Sequence, residues 1–148
     1  KKVKCERPFD YLLIERMTLV ALKLCEEIQG TKIAYQQSDE ISLFLSTYDN
    51  LDTEPWFGGC LQKIASVAAS IATATFNWES PYSVPANFDA RCFIVPHSEV
   101  TNYFIWRQQD CTRNSVEMLA RAHFSHKQLH ERSLTGAGRA DESDGLPC

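Results

Sequence analysis

The stretch that decides the fold runs from Lys32 to Thr47, K-I-A-Y-Q-Q-S-D-E-I-S-L-F-L-S-T. Two short β-type runs, Lys32 to Gln37 and Ile41 to Thr47, flank Ser38, Asp39 and Glu40. That pattern predicts a tight antiparallel hairpin, here without the usual Asn-Gly. Adjacent carboxylates at its tip repel one another. A divalent cation offsets that repulsion, and Mg²⁺ commonly takes one or two carboxylates together with substrate phosphates. A solvated turn is the plainer reading of the same residues.

Upstream, Leu12, Leu13, Met17, Val20, Ala21, Leu24 and Ile28 recur at steps of three and four. They predict an amphipathic helix over 9–28, with Pro8 in its first turn and Gly30 as its stop. Downstream, a polar connection over 49–59 precedes an Ala- and Ser-rich helix from Leu61 to Trp78, whose small residues suit close approach to a sheet. Pro81, Pro85 and Asn87 mark a loop, and Arg91 to Val95 (R-C-F-I-V) is a third strand candidate. Helical patterns follow over 100–110, 113–123 and 126–132. The order α-β-β-α-β matches the split β-α-β-β-α-β unit without its first strand, which makes the fold class α+β. Residues 134–148 are Gly- and Asp-rich without periodicity and are expected to form a mobile tail.

Length and charge narrow the field. At 148 residues, 44% hydrophobic and 23% charged, one domain is expected, and a disordered chain or a disulfide scaffold is not. No apolar run reaches the roughly 18 to 20 residues of a membrane span. The net charge of −4 lowers the expectation of a nucleic-acid partner. Basic residues nevertheless gather at the start (Lys1, Lys2, Lys4, Arg7) and from Arg107 to Arg139, while acids gather over 39–54. The six cysteines include no C-x-x-C pair, so a zinc ribbon is unsupported and reduced thiols in the cytoplasm are expected. Position 1 is Lys rather than Met, so an upstream strand is expected in a longer protein.

Other residues carry possible chemistry. Asp89 and Arg91 stand at the third strand candidate, where Asp can cap and Arg can pair with a carboxylate or phosphate. Trp106 to Ser115, W-R-Q-Q-D-C-T-R-N-S, is polar on almost every face and holds Arg107 and Arg113. It suits contact with phosphates or bases, or alternatively helix capping by Asp110 and Thr112. His123, His126 and His130 share helical spacing, but no Cys or carboxylate completes an evident metal site. Lys63, at the head of the Ala-rich helix, could meet an anion there or remain solvated.

Read together and in order, the motifs are more specific than any one of them. They are R-P-F-D (Arg7 to Asp10), A-Y-Q-Q-S-D-E-I-S (Ala34 to Ser42), W-F-G-G-C-L-Q-K-I-A-S (Trp56 to Ser66), F-D-A-R (Phe88 to Arg91), W-R-Q-Q-D-C-T-R-N-S and H-F-S-H-K-Q-L-H (His123 to His130). This set resembles the tRNA-His guanylyltransferase family, most closely its guanylyltransferase-like branch of 3′–5′ RNA polymerases. The resemblance implies a ferredoxin-like, polymerase- or cyclase-type palm over 1–133, an antiparallel sheet with helices on one face, followed by C-terminal helices. It also implies nucleotide addition to the 5′ end of tRNA, using two Mg²⁺ ions and GTP or ATP. Family members commonly form tetramers.

By that resemblance Asp39 is a metal ligand, and Glu40 shares its catalytic motif. Arg7, Ser38, Lys63 and Asn114 are expected to contact nucleotide, and Arg107, Arg113, His126 and Lys127 are expected to contact RNA. The family's other metal site, an acidic D-G-R motif on the first strand, has no counterpart here. Gly58, Gly59 and Cys60 replace basic residues of the tRNA-His-specific branch, and Thr112 replaces its histidine. Metal-assisted transfer needs no covalent protein nucleophile, so Cys111 has no catalytic role. Two other readings stay open, a non-catalytic RNA-binding remnant and a palm-type nucleotide cyclase. If the first strand is absent, the 148-residue chain alone is expected to be inactive.

Overall fold

A computed structural model describes residues 8–124 apart from 49, 51 and 79. Helix α1 (Tyr11–Glu27) leads into strands β1 (Thr31–Gln37) and β2 (Glu40–Leu45), then helices α2 (Leu61–Asn77) and α3 (Val100–His123). Short 3₁₀ turns, Trp56–Gly59 and His97–Glu99, precede α2 and α3. The described residues fall into two units that divide between Arg107 and Gln108.

The start of α1 is set by Asp10 rather than by a first-turn proline. Its carboxylate accepts the Leu13 backbone N–H at 3.0 Å, satisfying one of the amides that a helix start leaves open. Pro8 therefore precedes the cap. At the other end the chain turns through Gly30, whose φ of +84° favours glycine. A Cβ there would lie 3.2 Å from the Ser46 carbonyl oxygen, and the same turn is closed by the Ser46 N–H donating to Gly30 O at 2.9 Å.

The periodic stripe of α1 is the core. Met17, Val20, Leu24 and Ile28 are buried with Ala72 and Phe76 of α2, and Leu13, Ile41, Leu43 and Leu45 pack against them. Leu12, expected in the stripe, is exposed. The small residues of α2 serve close approach to α1 rather than to the sheet. The stripe on α1 is broad enough to meet the hairpin on one flank and Ala68, Ala72 and Phe76 on the other, so α1 occupies the position nearest the strands.

β1 and β2 pair antiparallel with Gln37 opposite Glu40 and Tyr35 opposite Ser42, and a bulge falls between Thr31 and Ile33. Alternation sends Ile41, Leu43 and Leu45 towards α1 and α2 and leaves Glu40 and Ser42 on the opposite face. That second face is not bare. Tyr103, in the first turn of α3, shares a 2.9 Å hydrogen bond with Ser42, and Phe104 meets the edge of Tyr35 at 6.3 Å between centroids. Within 8–107 helical residues thus meet both faces of the hairpin, in place of the single covered face expected from the sequence.

Two further expectations change. Arg91 to Val95 does not join the sheet, which has two strands among the described residues. With no ladder partner there, Phe93 and Ile94 are exposed. The preceding loop is strapped to α2 instead. The Asn77 side chain both donates to Ala86 O at 2.8 Å and accepts from Ala86 N–H at 2.9 Å, while Tyr82 stacks on Phe76 and Phe88 packs against it at a tilt. The two helices expected over 100–110 and 113–123 are one, because Asp110 and Thr112 bond within the helix instead of capping its ends. The expected helix over 126–132 and the tail over 134–148 lie outside the described residues.

Two measurements on the complete protein carrying this chain check these points. Phe76→Ala is expected to lower unfolding stability by about 3–5 kcal/mol, against about 1 kcal/mol for Asp10→Ala, in urea titrations. Burial pushes the Cys92 thiol up, whereas Cys25 and Cys60 are exposed. Peptide-resolved alkylation near pH 8 should therefore label Cys92 more slowly than either, with the gap narrowing as pH rises.

Candidate functional site

The tip of the β1–β2 hairpin carries the acidic pair. Ser38 and Asp39 form a two-residue turn, and Ser38 takes a φ of +51°, a left-handed conformation that tight hairpins require of a turn residue. Ser38, Asp39 and Glu40 are all exposed as residues. Glu40 does not stand alone. Arg107, one helical turn after Tyr103, places its guanidinium on the Glu40 carboxylate, and its side chain is only 12% accessible against 62% for Glu40. Arg107 was expected at RNA, and here it faces the acidic turn.

The hairpin is anchored on its other side as well. The Gln36 amide donates to the Ile14 carbonyl at 3.2 Å and its oxygen accepts from the Thr18 hydroxyl at 2.9 Å, tying the end of β1 to α1. Sequence reasoning gave no individual role to Tyr103, Ser42, Gln36 or Thr18. The usable signal was spacing, since Tyr103 and Arg107 are four apart on a helix while Glu40 and Ser42 are two apart on a strand.

Lys63 belongs to a second local arrangement. Trp56-Phe57-Gly58-Gly59 turns with three successive positive φ values, +51°, +62° and +76° over Phe57 to Gly59. The turn delivers the chain into α2 with Lys63 in its first turn and Lys63 Nζ 4.4 Å from the centre of the Phe57 ring. Lys63 is exposed. Its position suits an anion near a helix start, where unpaired amides and the helix dipole favour negative charge.

The second unit has its own polar cluster. Asp110 accepts from Arg113, and from the Asn114 amide at 3.2 Å, so its carboxylate organises both side chains along one helix face. Asp89 and Arg91 form a loose pair at 3.7 Å with both side chains about 90% exposed, which offers little stabilisation. His123 is the last residue of α3 and is exposed. Arg7, His126, Lys127 and His130 lie outside the described residues.

Whether the tip suits a hard cation depends on its donors. Among the described residues no three His, Cys, Asp or Glu side chains converge. The tip supplies two exposed carboxylates, Asp39 and Glu40, the second of them engaged by Arg107. One or two protein carboxylates completed by phosphates and water is the donor set that Mg²⁺ commonly accepts, so Asp39 fits it as one part of a shell.

The arrangement can be set against known proteins. A family profile described as tRNAHis guanylyltransferase matches residues 1–96. A mouse protein named "Probable tRNA(His) guanylyltransferase" is 30% identical over 118 residues, covering 74% of this chain and 38% of its own length. A bacterial tRNA(His) guanylyltransferase-like protein solved in complex with GTP is similar with 48% identity and a TM-score of 0.79, over 82% of this chain and 61% of that one. A corresponding complex with ATP gives 48% identity and a TM-score of 0.80, over 85% and 57%. The chain thus spans about two fifths of the mouse relative's length. The hairpin with its S-D-E tip falls within the matched residues, and the chain belongs to the tRNAHis guanylyltransferase family.

Proposed function

We propose that the complete protein carrying this chain is a metal-dependent nucleotidyltransferase of palm type, adding nucleotides to the 5′ end of tRNA. The observation that carries this reading is the exposed Asp39 carboxylate at the tip of a braced two-stranded hairpin. Its support is the likeness, at 48% identity, to a protein solved with GTP and with ATP. That value exceeds the 30% identity to the mouse relative, which favours the guanylyltransferase-like branch.

In this mechanism an oxygen nucleophile attacks phosphorus, one P–O bond forms, another breaks, and a phosphate-based leaving group departs. Two Mg²⁺ ions, held in part by Asp39, would lower the charge on the phosphate oxygens and favour the attacking oxygen's ionised form. Asp39 serves as a carboxylate ligand. Ser38 holds the turn that presents Asp39, and its hydroxyl is available to nucleotide. Lys63 supplies static positive charge to the triphosphate from the first turn of α2. Arg7 and Asn114 are the remaining nucleotide contacts in this reading. Arg113, His126 and Lys127 contact the RNA, and the protein assembles from several copies, up to a tetramer.

Label transfer from a nucleoside triphosphate to a 5′-truncated tRNA should require Mg²⁺ and fall by at least about 10²-fold in Asp39→Ala. Equal rates in that variant and the wild type would sink the role of Asp39. Tight tRNA binding with no transfer by the wild-type protein would favour a non-catalytic RNA-binding remnant.

A further inference from the structure

We infer that Arg107 is a positioning residue for the acidic turn, acting on Asp39 through Glu40, rather than a contact of the RNA. The inference rests on the reading of Asp39 as a cation ligand. Three observations carry it. First, Tyr103 and Arg107 lie one turn apart on α3, while Ser42 and Glu40 lie two residues apart on one face of β2, so both pairs close together. This is a two-point clamp on the strand that begins at the tip.

Second, the Arg107 side chain is 12% accessible and its guanidinium lies 5.2 Å from the Trp106 ring centre. It is seated among protein groups, with its charge turned towards a carboxylate. Moving it onto an RNA phosphate would take it out of this seat and away from the Glu40 carboxylate. Third, Glu40 and Asp39 are consecutive at a turn, where two carboxylates repel. A guanidinium on Glu40 offsets that repulsion and fixes which of the two remains open to a ligand. Glu40 is thereby held against α3, and Asp39 is presented at the tip.

The consequence differs from that of an RNA contact. Losing Arg107 frees Glu40 to compete for the cation beside Asp39, while the negative charge of the tip rises. Cation affinity should therefore hold or tighten as turnover falls, with tRNA affinity unmoved.

The test uses the complete protein with Arg107→Gln, Glu40→Gln, their combination, and Asp39→Ala. In metal-free protein, the melting shifts of Arg107→Gln and Glu40→Gln should be non-additive, as for residues in contact. In titrations with Mn²⁺ followed by electron paramagnetic resonance, Arg107→Gln should bind at least as tightly as wild type, and Asp39→Ala should bind far more weakly. In tRNA labelling, Arg107→Gln should lose roughly tenfold in kcat with KM for tRNA unchanged, and the loss should shrink to about twofold or less in the Glu40→Gln background. Arg107→Lys, which keeps the charge, should recover part of kcat and guards against a folding defect in the glutamine variant.

A raised KM for tRNA with additive melting shifts would overturn the inference and return Arg107 to the RNA. If Asp39→Ala keeps wild-type Mn²⁺ binding and turnover, the reading of the site fails and this inference with it. If Asp39→Ala loses both while Arg107 behaves additively, only the inference about Arg107 fails.

Discussion

The packing of Met17, Val20, Leu24 and Ile28 against Ala72 and Phe76 is the constraint on which the rest depends. Each contact is between apolar groups removed from water, and full burial of one such side chain contributes roughly 1.5–3 kcal/mol. The stripe holds α1 between the hairpin and α2. Ile41, Leu43 and Leu45 close on it from β2, which orients the strand and therefore decides what the other face of the hairpin presents. A two-stranded ribbon alone is marginally stable in water. Here it is stable because a helix covers its apolar face.

The polar face follows from the same geometry by alternation. Once odd-numbered residues of β2 point into the core, Glu40 and Ser42 must point away, and α3 answers them with Arg107 and Tyr103. The two faces differ in what they contribute. The apolar side supplies most of the stability, whereas the clamp on the other side contributes definition of position. An ion pair with one partner largely exposed is worth little as stability. It restricts where a carboxylate can lie, and for a carboxylate one residue from the open end of a turn that is the property of consequence.

Much of this was legible in the sequence, and the limits have physical causes. The α1 stripe and the hairpin are local patterns with periods of 3.6 and 2, so Met17 to Ile28 and Ile33 to Leu45 could be read directly. Arg91 to Val95 has the composition of a strand but lacks a ladder partner among the described residues, and pairing is not a local property. Asp110 and Thr112 resembled caps because short polar side chains serve helix ends well. In α3 they are satisfied within the helix by Arg113, Asn114 and the Gln108 carbonyl. The S-D-E tip was visible as chemistry, but its engagement by Arg107 joins residues 67 apart in sequence, and only the packing of residues 103–107 on the hairpin reveals it.

This coupling makes register the hinge between stability and chemistry. Shifting β2 by a single residue would turn Glu40 towards the core and bring Ile41 to the polar face, because side chains alternate strictly along a strand. The apolar cost at Ile41, Leu43 and Leu45 opposes that slip, and so does the loss of both clamp contacts on α3. Gly30 and Ser46 close the open end of the ribbon, while Ser38 accepts a left-handed φ at its tip. The core therefore does not merely support the acidic turn from below. By fixing which residue of β2 faces inward, it decides that Glu40 meets a guanidinium and that Asp39 stands at the end of the turn.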